Sequence, residues 1–455
     1  MDIIVVGCGK IGTNVLNSLV SEGHDVVAID NDPAVISEIT NIYDVMSVCG
    51  NGADCETLNE AGIEKADLLI AATGSDELNM LSCFLSKKLG CSHTIARIRN
   101  PEYNDESLEF MCQQLDLSMA INPDLTAAQE LFNLLKLPSA AKVEYFSGRK
   151  FEMVEIKLKD DSILDGMKLA DFRDRFKAKV LICAVQRGDD VYIPDGSFTL
   201  MSGDRISITA THNEIQKIFK GLGILQKQVK SVMILGGSKT AYYLAKMLCN
   251  SGNSVKIIES NRERCRVLSD QLPKAVIIHG DGAQQELLRE EGIRLTDAFV
   301  SLTGMDEENI LISFFASSQN VPKVISKVNR HELSIMAEKL GLDCIVSPKD
   351  ITSDIVLRYA RALENSIDSS VETLYKLMDG RVEALEFNVK SSQPGITDVP
   401  LKDLETDENV LIAGIIRGRK TIIPAGDDEI MRNDRVVIIA ANKRINDLSD
   451  IIKKN

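Results

Sequence analysis

Near the N-terminus the sequence reads Ile3-Ile4-Val5-Val6-Gly7-Cys8-Gly9-Lys10-Ile11-Gly12. The four apolar residues predict a buried strand, and the glycines, spaced as G-x-G-x-x-G, predict a tight turn into a helix. In such a turn Gly7 permits the sharp bend, Gly9 lets a pyrophosphate approach the backbone, and Gly12 lets the helix pack closely on the strand. The helix N-terminus adds free N–H groups and a positive dipole end. The stretch therefore predicts the first βα unit of a doubly wound sheet that binds a nucleotide.

The same pattern returns in the second half of the chain, where Gly236 follows Gly7 at an offset of 229 residues. Other motifs return at nearly the same offset: Gly50-Asn51-Gly52-Ala53 as Gly280-Asp281-Gly282-Ala283, Thr73-Gly74-Ser75-Asp76-Glu77 as Thr303-Gly304-Met305-Asp306-Glu307, Arg187-Gly188 as Arg417-Gly418, and Asp204-Arg205 as Asp434-Arg435. A constant offset over so long a stretch indicates duplication of one two-part unit.

The two parts of each unit differ in character. The first part alternates apolar strand runs with amphipathic helices, which predicts a Rossmann-like, doubly wound parallel sheet, and the second part is a smaller α+β module richer in strands. The elements predicted for the first sheet are Ile3–Val6, Ile11–Glu22, Asp25–Ile29, Ala34–Thr40, Val45–Val48, Asp54–Ala61 and Asp67–Ala72. We therefore expect an α/β protein with Rossmann-like domains at 1–138 and 229–368, small modules at 139–222 and 369–455, and a linker at 223–228.

Composition and charge narrow the classes of function. The 455 residues include 52 Lys and Arg against 67 Asp and Glu, a net charge of −15, whereas a nucleic-acid-binding protein needs a basic face. The longest stretch without a charged residue, 309–322, is too short and too polar to span a membrane, and the N-terminus lacks the pattern of a signal peptide. The 10 cysteines form no C-x-x-C pair, so neither a disulfide framework nor a metal site is predicted. We expect a cytoplasmic protein without a nucleic-acid partner.

Three further side chains belong with the glycine-rich turn of the first half. Asp30 ends the second predicted strand, where a carboxylate accepts hydrogen bonds from a ribose and repels a 2′-phosphate. Thr73 follows a strand at the carboxyl edge of the sheet, where its hydroxyl can reach a ribose or phosphate, and Arg97 offers a bidentate partner for a phosphate. These residues predict a site for NAD-type or adenosine nucleotides rather than NADP. A purely structural turn with a surface arginine is the alternative.

The second half carries a changed version of this site. Its turn reads Gly236-Gly237-Ser238-Lys239-Thr240-Ala241, so a serine stands where the pyrophosphate must approach and an alanine stands at the packing position. Glu259 keeps the ribose acceptor and Lys327 replaces the phosphate-binding arginine. The hydroxyls of Ser238 and Thr240 are expected to compensate by donating to a phosphate. We therefore expect a different nucleotide at the second site.

No catalytic constellation accompanies either site. The P-loop pattern G-x-x-x-x-G-K-[ST] is absent, and no acid–base or nucleophile motif contains any of the five histidines, His24, His93, His212, His279 and His331. A hydride-transfer enzyme needs a substrate domain over the nicotinamide, whereas this chain returns to a second nucleotide fold. Binding without catalysis is the prediction. An NAD-dependent oxidoreductase, a structural scaffold with vestigial sites and a redox sensor are the alternatives.

The order of these parts, together with their motifs, resembles the family of Trk system potassium-uptake regulatory proteins, TrkA, which carry two KTN/RCK (regulator of K⁺ conductance) domains. The resemblance covers essentially the whole chain. It implies a peripheral subunit on the inner face of the membrane that forms a homo-oligomer (dimer to tetramer ring). This oligomer lies beneath a Trk-type K⁺-translocating membrane subunit. Binding of NAD(H), or of ATP and ADP, to the oligomer opens or closes that membrane subunit. The ligand contacts it implies are Gly7, Cys8, Gly9, Lys10, Ile11, Gly12, Asp30, Asn31, Asn51, Gly52, Thr73, Gly74 and Arg97 in the first half, and Gly236, Gly237, Ser238, Lys239, Thr240, Ala241, Glu259, Asp281, Thr303 and Lys327 in the second.

The helices expected from Pro123 and Pro348 are candidates for contacts between subunits. The apolar residues of the first exceed what one helical face needs, namely Leu131, Leu134, Leu135 and Leu137. Packing within the chain is the alternative. The two small modules show shared turn residues but no ligand cluster.

Overall fold

The computed structural model describes residues 1–103, 105–148, 150–364, 369–378 and 380–453. Within these ranges the chain forms two six-stranded parallel sheets and two five-stranded antiparallel sheets, in the alternating order that the duplication predicts. None of the described helices combines the length and apolar character needed to span a bilayer.

The first sheet has the strand order β3-β2-β1-β4-β5-β6 and is parallel throughout. Its central strands are buried on both faces because helices cover each side, as their unbroken apolar runs predict. Its elements are β1 (Asp2–Val6), α1 (Lys10–Ser21), β2 (Asp25–Asp30), α2 (Pro33–Ile42), β3 (Met46–Cys49), α3 (Cys55–Glu60), β4 (Leu68–Ala71), α4 (Asp76–Lys88), β5 (His93–Arg97), α5 (Asp105–Gln114), β6 (Met119–Ile121) and α6 (Pro123–Lys136).

The first small module is an antiparallel sheet with two helices and the strand order β10-β9-β11-β8-β7. It comprises β7 (Lys142–Phe146), β8 (Phe151–Lys157), α7 (Leu169–Phe176), β9 (Leu181–Arg187), β10 (Asp190–Tyr192), β11 (Arg205–Ala210) and α8 (His212–Gly221). The repeated Arg-Gly and Asp-Arg motifs meet here. Arg187 forms a two-point ion pair with the buried Asp204, and Arg417 repeats it with Asp434. The repeated motifs therefore make the same contact between the ends of two paired strands in both modules.

The second half repeats both sheets, with strand orders β14-β13-β12-β15-β16-β17 and β18-β19-β22-β20-β21. The elements of the parallel sheet are β12 (Ser231–Leu235), α9 (Lys239–Asn250), β13 (Ser254–Glu259), α10 (Arg262–Gln271), β14 (Val276–His279), α11 (Gln285–Glu290), β15 (Ala298–Ser301), α12 (Asp306–Ser318), β16 (Lys323–Lys327), α13 (His331–Lys339), β17 (Ile345–Val346) and α14 (Pro348–Glu364). Those of the second small module are β18 (Ser369–Leu377), β19 (Val382–Val389), β20 (Val410–Arg417), β21 (Lys420–Ile422) and β22 (Arg435–Ala441).

The last helix of each parallel-sheet unit packs on the other half of the chain. Helix α6 lies against α9, and α14 lies against α1. The four apolar residues that suggested a subunit contact, Leu131, Leu134, Leu135 and Leu137, are buried in the same core as the apolar face of α9. Packing within the chain therefore accounts for them, and the suggestion of a subunit contact at this face was wrong. Each glycine-turn helix is consequently held between its own sheet and the terminal helix of the other half.

The two small modules pack against each other through their sheets. Phe146, Phe151 and Cys183 of the first module share one core with residues of the second, such as Ala413 and Ile439. A side chain at Gly414 would collide with the Phe151 ring, so the two sheets approach closely at this point. The duplication has therefore produced one interlocked molecule in which each half completes the packing of the other.

Candidate nucleotide-binding sites

The first candidate site is a cleft of about 420 Å³ at the carboxyl ends of β1, β2, β4 and β5. It lies where the strand order reverses between β1 and β4, the place where open parallel sheets bind ligands. Most of the first-half candidates line this cleft, and only Cys8 and Gly12 do not. The candidates that line it are Gly7, Gly9, Lys10, Ile11, Asp30, Asn31, Asn51, Gly52, Thr73, Gly74 and Arg97.

The glycine turn has the geometry that the sequence predicts. Gly7 has φ +85° and its N–H donates to the Ile29 carbonyl at 2.8 Å, while a side chain there would lie 2.7 Å from the Thr73 backbone. A side chain at Gly12 would lie 1.9 Å from the Gly7 carbonyl oxygen. Gly12 therefore shapes the cleft by packing beneath it and does not line it.

The N-terminus of α1 is free to bind an anion. Gly9 occupies the N-cap position without a side-chain cap, and the space beside its Cα is open. The first-turn N–H groups consequently point at the cleft, where they and the helix dipole favour a phosphate.

Cys8 contributes its backbone to the site and not its thiol. Its N–H donates to Asp30 Oδ2 at 2.7 Å, while the buried sulfur faces the Ile29 carbonyl. Burial, followed by the charge of Asp30, raises the pKa of the Cys8 thiol to about 12. The thiol is therefore neutral and directed away from the cleft.

Asp30 is fixed as a hydrogen-bond acceptor at the edge of the cleft. Its Oδ2 accepts the Cys8 N–H at 2.7 Å and its Oδ1 accepts the Asp32 N–H at 3.0 Å. Because a carboxylate has about four acceptor positions, lone pairs remain for the hydroxyls of a ribose.

Thr73 borders the cleft, but its hydroxyl is tied to a residue that sequence reasoning missed. Its N–H and Oγ1–H both donate to Asn79 Oδ1, at 2.8 and 2.7 Å, and Asn79 Nδ2 donates to the Arg97 carbonyl at 2.8 Å. Asn309 makes the same contacts with Thr303 and Lys327. These buried asparagines join the ends of two neighbouring strands, and their shared offset of 230 was the available signal.

Arg97 provides a positive charge that no carboxylate contacts among the described residues. Its Nη1 donates to the carbonyls of Thr73 at 3.1 Å and Ala72 at 3.4 Å, and its buried Nε has no hydrogen-bond partner within the part of the chain that the structure describes. Burial, and then the charge of Arg99, lowers the pKa of Arg97 to about 10, so the side chain stays charged at neutral pH. An anionic ligand would supply both the missing charge and the missing acceptor.

The second candidate site is a cleft of about 540 Å³ at the matching position in the second parallel sheet. It is lined by six of the predicted residues, Gly236, Gly237, Ser238, Glu259, Asp281 and Thr303. Ser238 caps α9, its Oγ accepting the Ala241 N–H at 3.2 Å. Glu259 accepts the N–H groups of Gly237 and Asn261, both at 2.6 Å, as Asp30 does in the first half.

The other predicted residues of the second half, Lys239, Thr240, Ala241 and Lys327, do not line this cleft. Thr240 is buried and donates its hydroxyl to Asp124 of the first half at 2.8 Å, so it does not compensate at a phosphate as expected. Burial lowers the pKa of Lys327, against the nearby charges of Asp124 and Asp306. Thr240 thus contacts the first half, and Lys327 lies near the charge of a first-half carboxylate, neither of which the spacing of the motif reveals.

Arg264 lines the second cleft and was missed by sequence reasoning. It lies in the first turn of α10, and its Nε donates to the Gly237 carbonyl at 2.6 Å. The position that matches it in the first half is Val35. This change from an apolar residue to a cation between the repeats was the signal available. The arginine of the second cleft thus lies beside Glu259 and the glycine turn. In the first cleft, Arg97 lies on the opposite side.

A third cavity, the central cavity, lies between the two halves and has a volume of about 1440 Å³. Charged side chains from both halves line it, among them Lys10, Glu130, Lys142, Glu144, Glu155 and Asp354. Lys142 bridges to Glu144 at 3.2 Å. Burial raises the pKa of Asp354 to about 7, opposed by Lys376 and Lys142 and reinforced by Asp350 and Glu130.

The raised pKa of Asp354 predicts a pH dependence of stability. The folded chain keeps a proton on Asp354 that the unfolded chain releases near pH 4. The contribution of Asp354 to the free energy of unfolding therefore falls as the pH rises from about 4 to about 7. The unfolding temperature of Asp354→Asn, measured against pH, should therefore fall less over this interval than that of the wild type. Asp160→Asn, at an exposed position, should follow the wild type. Parallel curves for Asp354→Asn and the wild type would contradict the assignment.

Neither cleft holds a recognisable catalytic group among the described residues. The residues that line the two clefts include no histidine. Within the described ranges no group of three or more His, Cys, Asp or Glu side chains is arranged to hold a metal ion. What the clefts offer is hydrogen-bond donors, fixed hydrogen-bond acceptors and positive charge.

Comparison with known proteins gives the chain a family. The TrkA-N domain model matches residues 3–123 and 232–348, and the TrkA-C domain model matches 153–223 and 384–453. A Trk system potassium uptake protein TrkA homolog of Archaeoglobus fulgidus is 33% identical over 454 residues, covering 100% of both chains. The Trk system potassium uptake protein TrkA of Haemophilus influenzae is 31% identical, covering 98% of this chain and 96% of its own.

Solved structures share the fold at lower identity. The GsuK channel bound to NAD has a TM-score of 0.62 at 14% identity, covering 97% of this chain and 76% of its own. The GsuK RCK domain has a TM-score of 0.62 at 15% identity, covering 97% of this chain and 92% of its own. With both domain types matched twice and a full-length relative at 33% identity, the chain belongs to the TrkA family of Trk system potassium uptake proteins.

Proposed function

We propose that the chain is the regulatory subunit of a Trk-type potassium uptake system and that nucleotide binding at its clefts controls K⁺ flux through a membrane partner. The observation that carries this proposal is the first cleft. There an uncapped helix N-terminus, the fixed carboxylate of Asp30 and the unpaired Nε of Arg97 face one space without a catalytic group. The potassium-uptake names of the full-length relatives support the transport role.

NAD(H) is the ligand we propose for the first cleft, with ATP and ADP as further ligands of the chain. Asp30 suits the free ribose hydroxyls of NAD and repels the 2′-phosphate of NADP. The helix N-terminus suits the pyrophosphate, and Arg97 suits a phosphate at the far end of the ligand. GsuK, which shares the fold, has been solved bound to NAD and bound to ADP.

For the second cleft we propose a different nucleotide, held by Arg264. Arg264→Ala should weaken binding of ADP at this cleft by about tenfold to a hundredfold, because a hydrogen bond to a charged group contributes about 1.5–3 kcal/mol. The measurement is calorimetric titration with ADP. Arg266→Ala, which removes an exposed arginine from the same helix, is the matched control and should leave the affinity unchanged. Equal affinities for Arg264→Ala and the control would remove Arg264 from the site.

We propose that the chain acts as a homo-oligomer, between a dimer and a tetrameric ring, at the inner face of the membrane beneath a Trk-type K⁺-translocating subunit. Leu81 on α4 and Leu311 on α12 occupy matching positions in the two halves and are 47% and 67% exposed. Repeated apolar positions on two outward-facing helices favour contacts with further copies of the chain.

Reconstituted K⁺ flux tests the proposed function. In proteoliposomes with a Trk-type membrane subunit and this chain on the cytoplasmic side, adding NADH should change the flux about fivefold or more, the range of ordinary allosteric coupling. Arg97→Met should remove the response, and Lys65→Met, at an exposed position in the same half, should keep it. Flux that is the same with and without the chain would reject a regulatory role. If the K⁺ flux changes when the chain is added but not when a nucleotide is added, the chain would act as a structural scaffold.

A further inference from the structure

A buried carboxylate of the first half contacts the helix that follows the glycine turn of the second cleft. Asp124 lies in the first turn of α6 and is 9% exposed. Its Oδ2 accepts the Arg99 Nε at 2.7 Å, and its Oδ1 accepts the Thr240 hydroxyl at 2.8 Å. Thr240 belongs to the first turn of α9, the helix that begins directly after Ser238 of the second cleft. One side chain therefore joins the two halves at the start of this helix.

The other end of this connection leads to the first cleft. Arg97, which lines that cleft, is followed two residues later by Arg99. The N–H groups of Arg99 and Asn100 donate to Asp76 Oδ2 at 2.9 and 2.7 Å, and Asp76 begins α4 immediately beyond the cleft loop. The segment 97–100 is thus fastened to the first cleft on one side and to α6 on the other.

A second contact joins the same segment to α9 one turn further along. Tyr243 donates its hydroxyl to the Arg99 carbonyl at 3.5 Å and accepts the Asn122 Nδ2 at 3.1 Å. Thr240 and Tyr243 are three residues apart and therefore lie on the same face of α9. A displacement of segment 97–100 would therefore change the contacts of this helix at two positions.

We propose that the connection Arg99–Asp124–Thr240 couples the two clefts within one chain, so that a ligand in the first cleft tightens the anion-binding end of α9 in the second. This inference rests on the proposed function, because it requires that both clefts bind nucleotides. It makes Asp124 a positioning residue of the second cleft that is supplied by the first half.

The charges of the connection give the coupling its direction. Arg97 and Arg99 repel each other, and an anion in the first cleft relieves that repulsion. Arg99 is then held more firmly at Asp124. Since the negative charge of Asp124 lies beside the positive end of α9, its better neutralisation favours an anion at that end. Filling the first cleft should therefore order the first turns of α9.

Hydrogen exchange in the full-length chain tests the coupling when the ligand is confined to the first cleft. Ser238→Asp achieves this, because aspartate still caps α9 while its charge repels a phosphate. In this background NADH should slow exchange of segment 241–246 by about fivefold, the lower end of ordinary linkage. Adding Asp124→Ala, or Thr240→Val if the first variant folds poorly, should reduce the change to less than about twofold.

The control removes a comparable contact elsewhere between the halves. Asn14 on α1 donates to Asp350 at 3.0 Å and to Ser353 at 2.8 Å on α14. Asn14→Ala in the Ser238→Asp background should keep the NADH effect on segment 241–246. An effect that survives Asp124→Ala and Thr240→Val would overturn the coupling, as would NADH protection of the first cleft with none at 241–246. Absence of NADH protection anywhere would remove the proposed function and the coupling with it.

Discussion

Replacement of Arg361 by alanine is expected to lower the free energy of unfolding by about 3–5 kcal/mol, the cost of removing one partner from a buried ion pair. Arg361 is 1% exposed and joins two parts of the molecule. Its Nε donates to Glu22 of the first parallel-sheet unit at 2.9 Å, and its Nη1 and Nη2 donate to Glu383 of the second small module, both at 2.8 Å. Urea denaturation followed by circular dichroism measures the loss.

The expected loss comes mainly from the carboxylates left behind. Burial alone would raise the pKa of Glu22, but the hydrogen bond and charge of Arg361 hold it below the usual value. Replacing all three groups together, with Arg361→Met, Glu22→Gln and Glu383→Gln, should therefore recover part of the stability. Arg266→Ala, which breaks an exposed ion pair, should cost less than about 0.5 kcal/mol. A similar small cost for Arg361→Ala would show that this cluster does not hold the halves together.

Gly9→Asp is expected to weaken NADH binding at the first cleft about a hundredfold or more, equivalent to about 3 kcal/mol. The backbone of Gly9 has φ −70° and no atom lies within 4 Å of an added Cβ, so the substitution fits without strain. Aspartate also caps the helix well, so α1 should remain intact. Its carboxylate would stand at the N-terminus of α1, where we propose that a phosphate binds, and would repel that phosphate.

The second half provides the matched control for this variant. Gly9→Ser introduces the residue found at Ser238, which caps the helix without adding charge. We expect it to weaken NADH binding by about tenfold or less, within the range of one neutral hydrogen-bonding group. Calorimetric titration of both variants separates charge from bulk. Wild-type affinity in Gly9→Asp would mean that no phosphate lies at the N-terminus of α1.

The sheets and the first cleft could be predicted because their signals are local. Continuous apolar runs define buried parallel strands, and Gly7 and Gly12 are required by contacts within a single βα unit. Duplication supplied a second, independent copy of each signal. The alternation of strands and helices predicted for the first parallel sheet, and its repetition in the second half, are confirmed for this reason.

What could not be predicted depends on contacts between the halves. The positions of Thr240 and Lys327 in the motif suggest ligand contacts, but α6 of the first half brings Asp124 to them. The leucines at the end of α6 suggested a subunit contact because their partner is not apparent from the local sequence. That partner, helix α9, lies about a hundred residues further along the chain. Arg264 was missed because its role arises from a departure from the repeat.

Counting the binding sites for each nucleotide tests whether the two clefts bind nucleotides with different preference. Nucleotide-stripped, full-length protein would be titrated calorimetrically with NADH and separately with ADP, as wild type, Gly9→Asp and Ser238→Asp. We expect NADH binding to be lost in Gly9→Asp and kept in Ser238→Asp, and ADP binding at the second cleft to be lost in Ser238→Asp. Binding of neither nucleotide, or binding that neither variant changes, would contradict this expectation.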